Sequence, residues 1–518
     1  MTLTRKLSDI GFIGLGVMGQ NLVLNLADNG YTIAAFDLNN DKVQAVVAQD
    51  SLENVTNISN TPRVYGCSSY TELLSQLKAP HLIILSVPAG SAVDEVCQHL
   101  INAGIESDDI IIDTGNSLWL DTVAREKKYK SNFVFFSSAV SGGEVGARFG
   151  PSLMPSGSVD AWARIKPIWQ AIAAKVDAST GKPITRTQPG QVITEGEACT
   201  DYIGPAGSGH YVKMVHNGIE YADMQIICEA YHVLKSTLQL TCHDIADIFS
   251  TWNDGPLNSY LMEISVEVLR HQSTDTNTPL VELILDKAEQ KGTGLWTAVS
   301  SLEVGCPAPT IAQAVYARSI SSFKALRTQA STLLAAPQQV SLSPNDQQAL
   351  IEQLHDAMYC AKICAYAQGF QLMKLAAREQ EWALNFASIA KIWRAGCIIR
   401  AVFLQSISQA YERNDKLANL LVDDFFSKEL NARQENWRKA ICHATMQGVP
   451  VGALSASLAY YDAMRSETLP ANLLQAQRDF FGAHTFERID KAPGEKYHVQ
   501  WSSKARATVL VNEGLRSD

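Results

Sequence analysis

Gly14-Leu15-Gly16-Val17-Met18-Gly19 stands where an apolar run, Gly11 to Gly14, gives way to a helical stretch, Gln20 to Asn29. A G-x-G-x-x-G in that context leaves a chain few ways to fold. One glycine permits the tight turn, one lets backbone approach a pyrophosphate, one lets helix pack on strand, and the helix N-terminus then faces the phosphates. A second apolar run, Thr32 to Phe36, ends at Asp37, about 20 residues beyond the turn, where an acidic residue meets the adenosine ribose. The pattern predicts a dinucleotide-binding unit that uses Gly14, Gly16, Val17, Met18, Gly19 and Asp37.

Further apolar runs, Leu82 to Val87, Ile110 to Ile112 and Asn132 to Ser137, alternate with helical stretches. Strands separated by helices imply a mostly parallel sheet. Ser141 to Gly150 reads as a loop, and Ala178 to Glu197, rich in Thr, Gly, Pro and Gln, as a surface insertion. After about Gly207 the texture changes to long segments of 3.6 periodicity: Val212 to Leu240, Ile311 to Leu334, Asp346 to Gln380 and Ile389 to Ala410. The expected architecture is an α/β Rossmann-like N-terminal domain over residues 1–206, a large all-α domain over 207–466 and an extended C-terminal tail over 467–518.

The chain of 518 residues is 46% hydrophobic, enough for real cores, and its net charge of −10 gives no field for nucleic acid or an anionic membrane. An anionic ligand must therefore meet a local cluster of cations. The ten cysteines form no Cys-x-x-Cys pair and no zinc-like cluster, so no metal is expected, and Cys360 and Cys364 read as two thiols on one buried helix face. The short polar start resembles no signal peptide, and no run of about 18 apolar residues follows. A cytoplasmic setting is expected.

Lys213, His216, Asn217, Glu220 and Tyr221 fall on one face of a helix, while Val212, Val215, Ile219, Met224, Ile226 and Ile227 read as its apolar face. A solvated face usually carries several long charged residues. His-Asn-Gly-Ile-Glu-Tyr does not, which favours the lining of a cleft. A desolvated lysine serves as a base near neutral pH, and a glutamic acid in a closed cleft holds a proton and serves as an acid. Lys291-Gly292-Thr293-Gly294, Arg318 and Arg478 add cations beside glycine and hydroxyl groups, as a phosphate site requires.

These residues carry a resemblance. KMVHNGIEY at Lys213–Tyr221, QKGTG at Gln290–Gly294 and LPANLLQAQRDFFGAH at Leu469–His484 are long, specific strings, and with them the chain resembles the decarboxylating 6-phosphogluconate dehydrogenases over nearly its whole length. The resemblance implies that Lys213 is the general base and Glu220 the general acid in converting 6-phosphogluconate to ribulose 5-phosphate and carbon dioxide with reduction of NAD(P). It implies that Asn116, Ser141, Gly142, Gly143, His216 and Asn217 hold the sugar acid. Tyr221, Lys291, Thr293 and Arg318 would bind the phosphate, with Arg478 and His484 reaching over from the second subunit of a homodimer. Val87, Ala89 and Asn116 would join the Gly-rich turn around the cofactor.

The departures lie mainly on the cofactor side. NADP-using members usually have Asn-Arg-Thr where this chain has Asp37-Leu38-Asn39, and Lys where it has Pro88; Lys42 is the nearest cation. This favours NAD, with NADP as the alternative. Thr114, the insertion and the stretch past Trp501 also depart from the family pattern. Two other readings stay open: a β-hydroxyacid dehydrogenase for a shorter acid, which has no use for Lys291, Arg318 and Arg478, and a non-catalytic dinucleotide sensor, which has no use for Lys213 and Glu220.

Overall fold

The computed structural model describes residues 7–54, 62–338 and 341–511. Seven strands make one sheet: β1 Ile10–Ile13, β2 Ile33–Phe36, β3 Val64–Gly66, β4 Leu82–Leu85, β5 Ile110–Asp113, β6 Val134–Ser141 and β7 Ser152–Ser156. Their order is β3-β2-β1-β4-β5-β6-β7, parallel throughout except for β7, which runs antiparallel to β6. The central strands are buried on both faces, which is why they read as continuous apolar runs. Ile10 and Phe12 enter one core while Ile13 enters the other, and helices cover both. The order reverses between β1 and β4, so a crevice opens beyond their carboxyl ends, where such sheets bind ligands.

Some sequence boundaries needed correction. β3 and β7 were too short or too polar to be read. Ser141 to Gly150 is not all loop, because helix Gly143–Phe149 starts directly after Gly142, a residue held at φ +117°. The insertion is partly ordered as sheet: strands Lys175–Val176, Pro183–Ile184 and Glu197–Ala198 pair antiparallel.

Helix Ser208–Thr237 packs along helix Pro344–Glu379 in the second half of the first compact unit, Met1–Leu458. Two expected helices are each broken in two. Pro309–Ser322 and Lys324–Leu333 are separated at Phe323, and Phe386–Ile392 and Phe403–Arg413 flank a turn in which Gly396 sits at φ +66°. Glycine tolerates that left-handed geometry and the helix cannot continue through it.

The second compact unit, Ala459–Asp518, is more structured than an extended tail. Helix Ala471–Gly482 precedes a hairpin of Tyr497–Val499 and Thr508–Leu510. Buried Asp479 organises it, accepting hydrogen bonds from the backbone N–H of Thr485 (3.0 Å) and Val499 (3.1 Å) and from Trp501 Nε1 (2.9 Å).

Candidate active site

The crevice widens into a cleft of about 1290 Å³ lined by both halves of the first unit. At one end stand Gly14, Gly16, Val17, Met18 and Gly19, with Asp37, Val87, Ala89 and Asn116. A Cβ on Gly14 would lie 2.4 Å from the Ser86 carbonyl oxygen and one on Gly19 2.0 Å from that of Gly14, so both glycines are required by close packing. A Cβ on Gly16 would meet nothing within 4 Å. That open space lies before helix Val17–Asp28, whose first turn has no side-chain cap, so its N–H groups are available to a pyrophosphate. The residues present fit a dinucleotide.

Asp37 Oδ2 accepts from Leu15 N at 2.6 Å and Oδ1 from Asn39 N at 2.8 Å, which fixes the carboxylate at the lip of the Gly-rich turn and leaves acceptor capacity free. Tyr70, Glu95 and His99 complete this end, with Tyr70 stacked on His99 at 5.0 Å. Burial, then the nearby Asp37 and Glu95 carboxylates, pushes the Tyr70 hydroxyl pKa up. Sequence reading missed these three because they sit on helices Tyr70–Ser75 and Ser91–Ala103, which only the strand order brings beside Asp37.

At the other end the helix Ser208–Thr237 presents Lys213, Asn217, Glu220 and Tyr221 to the cleft. Met224, read as apolar-face, is there as well: three turns beyond Lys213 it shares that residue's azimuth. Gly218 packs against helix Thr293–Glu303 from the other direction, since a Cβ there would lie 2.5 Å from Thr297 Cγ2. His216 does not line the cleft. It is wholly buried behind it, with Nε2 3.3 Å from Ser141 Oγ and Nδ1 3.1 Å from Asn217 Oδ1, and Trp393 packs edge-on against its ring. Asn217 in turn donates to Thr293 Oγ1 at 3.1 Å.

Lys213 is 5% exposed, and burial lowers its pKa from the ordinary lysine value, against the attraction of Glu220. Burial raises the pKa of Glu220, opposed by Lys213 and Arg318. Both shifts favour the neutral forms, a basic amine and a protonated acid. Burial, reinforced by Lys213, drives the His216 pKa well down, so that histidine is a neutral hydrogen-bonding spacer. Beyond Glu220, the Arg318 guanidinium stacks on the Tyr221 ring at 3.5 Å from its centroid and donates to the Glu289 carbonyl. Lys291, Thr293 and Arg318 meet in the cleft as expected, joined by Ser141, Gly142 and Gly143 from the β6 end. Arg478 and His484 belong to the second unit, where Arg478 is exposed and donates to Gln475.

Comparison with known proteins matches most of the chain. A model of the NAD binding domain of 6-phosphogluconate dehydrogenase matches residues 9–181, and one of the 6-phosphogluconate dehydrogenase C-terminal domain matches residues 209–501. The chain belongs to the 6-phosphogluconate dehydrogenase family. Curated decarboxylating 6-phosphogluconate dehydrogenases of Rattus norvegicus and Homo sapiens are each 46% identical over 496 residues, 96% of this chain and 97% of theirs. Plasmodium falciparum 6-phosphogluconate dehydrogenase, solved apo, with NADP+ and with 6-phosphogluconate, superposes with a TM-score of 0.85 at 40% identity, over 95% of this chain and 100% of that one. The resemblance read from Lys213–Tyr221 thus extends to the fold. Among the described residues no helix is long and apolar enough to cross a membrane, and no acidic, His or Cys group is clustered as metal ligands are.

Proposed function

We propose that the protein oxidises 6-phosphogluconate and releases carbon dioxide to give ribulose 5-phosphate, as a step of the pentose phosphate pathway. The observation that carries this is a buried Lys213 and a half-buried Glu220 on one helix face, their pKa values displaced in opposite directions, with Lys291, Thr293, Arg318 and Tyr221 grouped beyond Glu220. A bound nicotinamide dinucleotide supplies the hydride acceptor. Neutral Lys213 takes the proton from the carbon-3 hydroxyl as that carbon loses hydride. The resulting ammonium then stabilises the charge that develops on the carbon-3 oxygen as the carbon–carbon bond to the carboxylate breaks. Glu220 gives its proton to carbon 1 of the enediol. Asn116, Ser141, Gly142, Gly143 and Asn217 hold the sugar acid, with His216 fixing Ser141 and Asn217 from behind.

The same reading gives NAD as the preferred dinucleotide. A 2′-phosphate would face the carboxylates of Asp37 and Glu95 with Lys42 as the only lysine or arginine, among the described residues, at that end of the cleft lining. It also divides the work among residues 1–206, 207–466 and 467–518. The protein acts as a homodimer, the partner's Arg478 and the partner's His484 completing the phosphate site, and is cytoplasmic, in keeping with ten free cysteines. Initial rates with NAD and NADP, following reduced cofactor and carbon dioxide together, test it. Higher kcat/KM with NAD is expected; preference for NADP overturns the cofactor assignment, and no turnover with either overturns the reaction.

A further inference from the structure

The two family matches end at residue 181 and resume at 209, and the chain between them carries two side chains that contact the elements flanking the Ser141–Gly143 loop. The first is Arg186, 7% exposed although it comes from a surface insertion. Its Nη2 donates to the Arg148 carbonyl at 2.6 Å and lies 3.3 Å from Asp28 Oδ2, and its guanidinium faces the Phe149 ring. Arg148 and Phe149 close the helix that Gly142 and Gly143 open. Burying a guanidinium is costly without partners, and here Asp28 collects Arg63, Arg148 and Arg186.

The second is Glu197. It pairs with Arg394 and, at 3.3 Å, with Lys391. Arg394, 3% exposed, also donates to Gln405 Oε1 at 2.7 Å, the atom that a Cβ on Gly181 would approach to 2.9 Å. The turn thus held contains Trp393, which packs on His216, and Gly396, whose carbonyl accepts from Ser152 N at 2.8 Å and would lie 2.6 Å from a Cβ on Gly142.

We propose that this segment braces the Ser141–Gly143 loop, with Arg186 and Glu197 as positioning residues that hold it from the nucleotide-binding side and from the helical side. The inference rests on the assignment of that loop to the substrate made above. The loop reaches His216 through one 3.3 Å contact, so its placement depends on what stands behind it. Displacement of a binding group by about 1 Å costs up to 10²-fold in rate.

The test is steady-state kinetics of Arg186→Ala and Glu197→Ala in the full chain, well below each variant's melting temperature, with Ser141→Ala in parallel. The fold should survive, because Asp28 keeps Arg63 and Arg148, and Arg394 keeps Gln405. Should Arg186→Ala not fold, Glu197→Ala, at a side chain 36% exposed, carries the test. The expected result is a KM for 6-phosphogluconate raised on the order of tenfold and a reduced kcat, with the dinucleotide KM unchanged and Glu197→Gln, which retains an acceptor, restoring most of the loss. A lower melting temperature with both kinetic constants unchanged overturns the brace. Unchanged kinetics in Ser141→Ala instead overturns the loop assignment beneath it.

Discussion

At the residue scale the centre is built on two groups whose pKa values burial displaces toward their neutral forms. The Lys213 amine makes no hydrogen bond to the described residues and faces the cleft, so desolvation of its ammonium form is offset only in part, by the charge of Glu220. Removing that group removes a penalty on folding. A lysine with a depressed folded pKa destabilises the fold as pH drops from its unfolded pKa toward its folded one, and at neutral pH Lys213→Met escapes that cost. We expect Lys213→Met to lose about 10²–10⁴-fold in kcat while melting at or above the parent temperature. Turnover near the parent level would remove Lys213 as base. The pH profile has a sign for each limb. Free-enzyme kcat/KM rises as pH climbs through the Lys213 pKa, because the base must be neutral, and falls as pH climbs through the raised Glu220 pKa, because the acid must be protonated. In Glu220→Gln the falling limb should vanish and the rising limb stay; a falling limb that persists belongs to another group.

At the element scale, helix Ser208–Thr237 shows what sequence does and does not disclose. Its cleft-facing stripe was legible because Lys213, Asn217, Glu220 and Tyr221 recur at helical spacing and are chemically unlike a solvated face. The meaning of Gly218 was not, because the need for it arises from Thr297, 79 positions away, whose hydroxyl caps the Met214 carbonyl at 2.7 Å. Gly218→Ala forces a methyl to 2.5 Å from Thr297, and overpacking of this kind costs about 1–3 kcal/mol. A lowered melting temperature with a raised KM is expected, since the two helices it would part carry Asn217 and Thr293; an unchanged melting curve would show that the pair relaxes freely. The sheet follows the same rule. β1, β2, β4 and β5 were legible because burial on both faces demands continuous apolar runs, whereas β7, Ser152–Ser156, carries polar side chains satisfied by distant partners such as the Ile392 carbonyl. The adenosine end, with Tyr70, Glu95 and His99, is assembled by strand order and so has no local signature.

For the whole molecule, net charge of −10 leaves phosphate binding to a few focused cations, and the cleft of one chain supplies Lys291 and Arg318 at that end. The second unit carries Arg478 on a helix whose Leu473, Leu474, Phe480 and Phe481 are 63%, 56%, 60% and 73% exposed, apolar side chains of the kind an interaction surface carries. In the proposed homodimer, Arg478 is a donor to its neighbour's site. Mixed dimers decide the point. Lys213→Met and Arg478→Ala each disable both sites of their own homodimer. In a heterodimer the two lesions fall together in one site and leave the other with an intact lysine and an intact arginine. Unfolding and refolding an equimolar mixture makes half the dimers mixed, each with one working site of two, so activity should recover to about a quarter of the parent value from a C₂ pair sharing its sites. If Arg478 instead served its own chain, every site would hold one lesion and mixing would restore nothing.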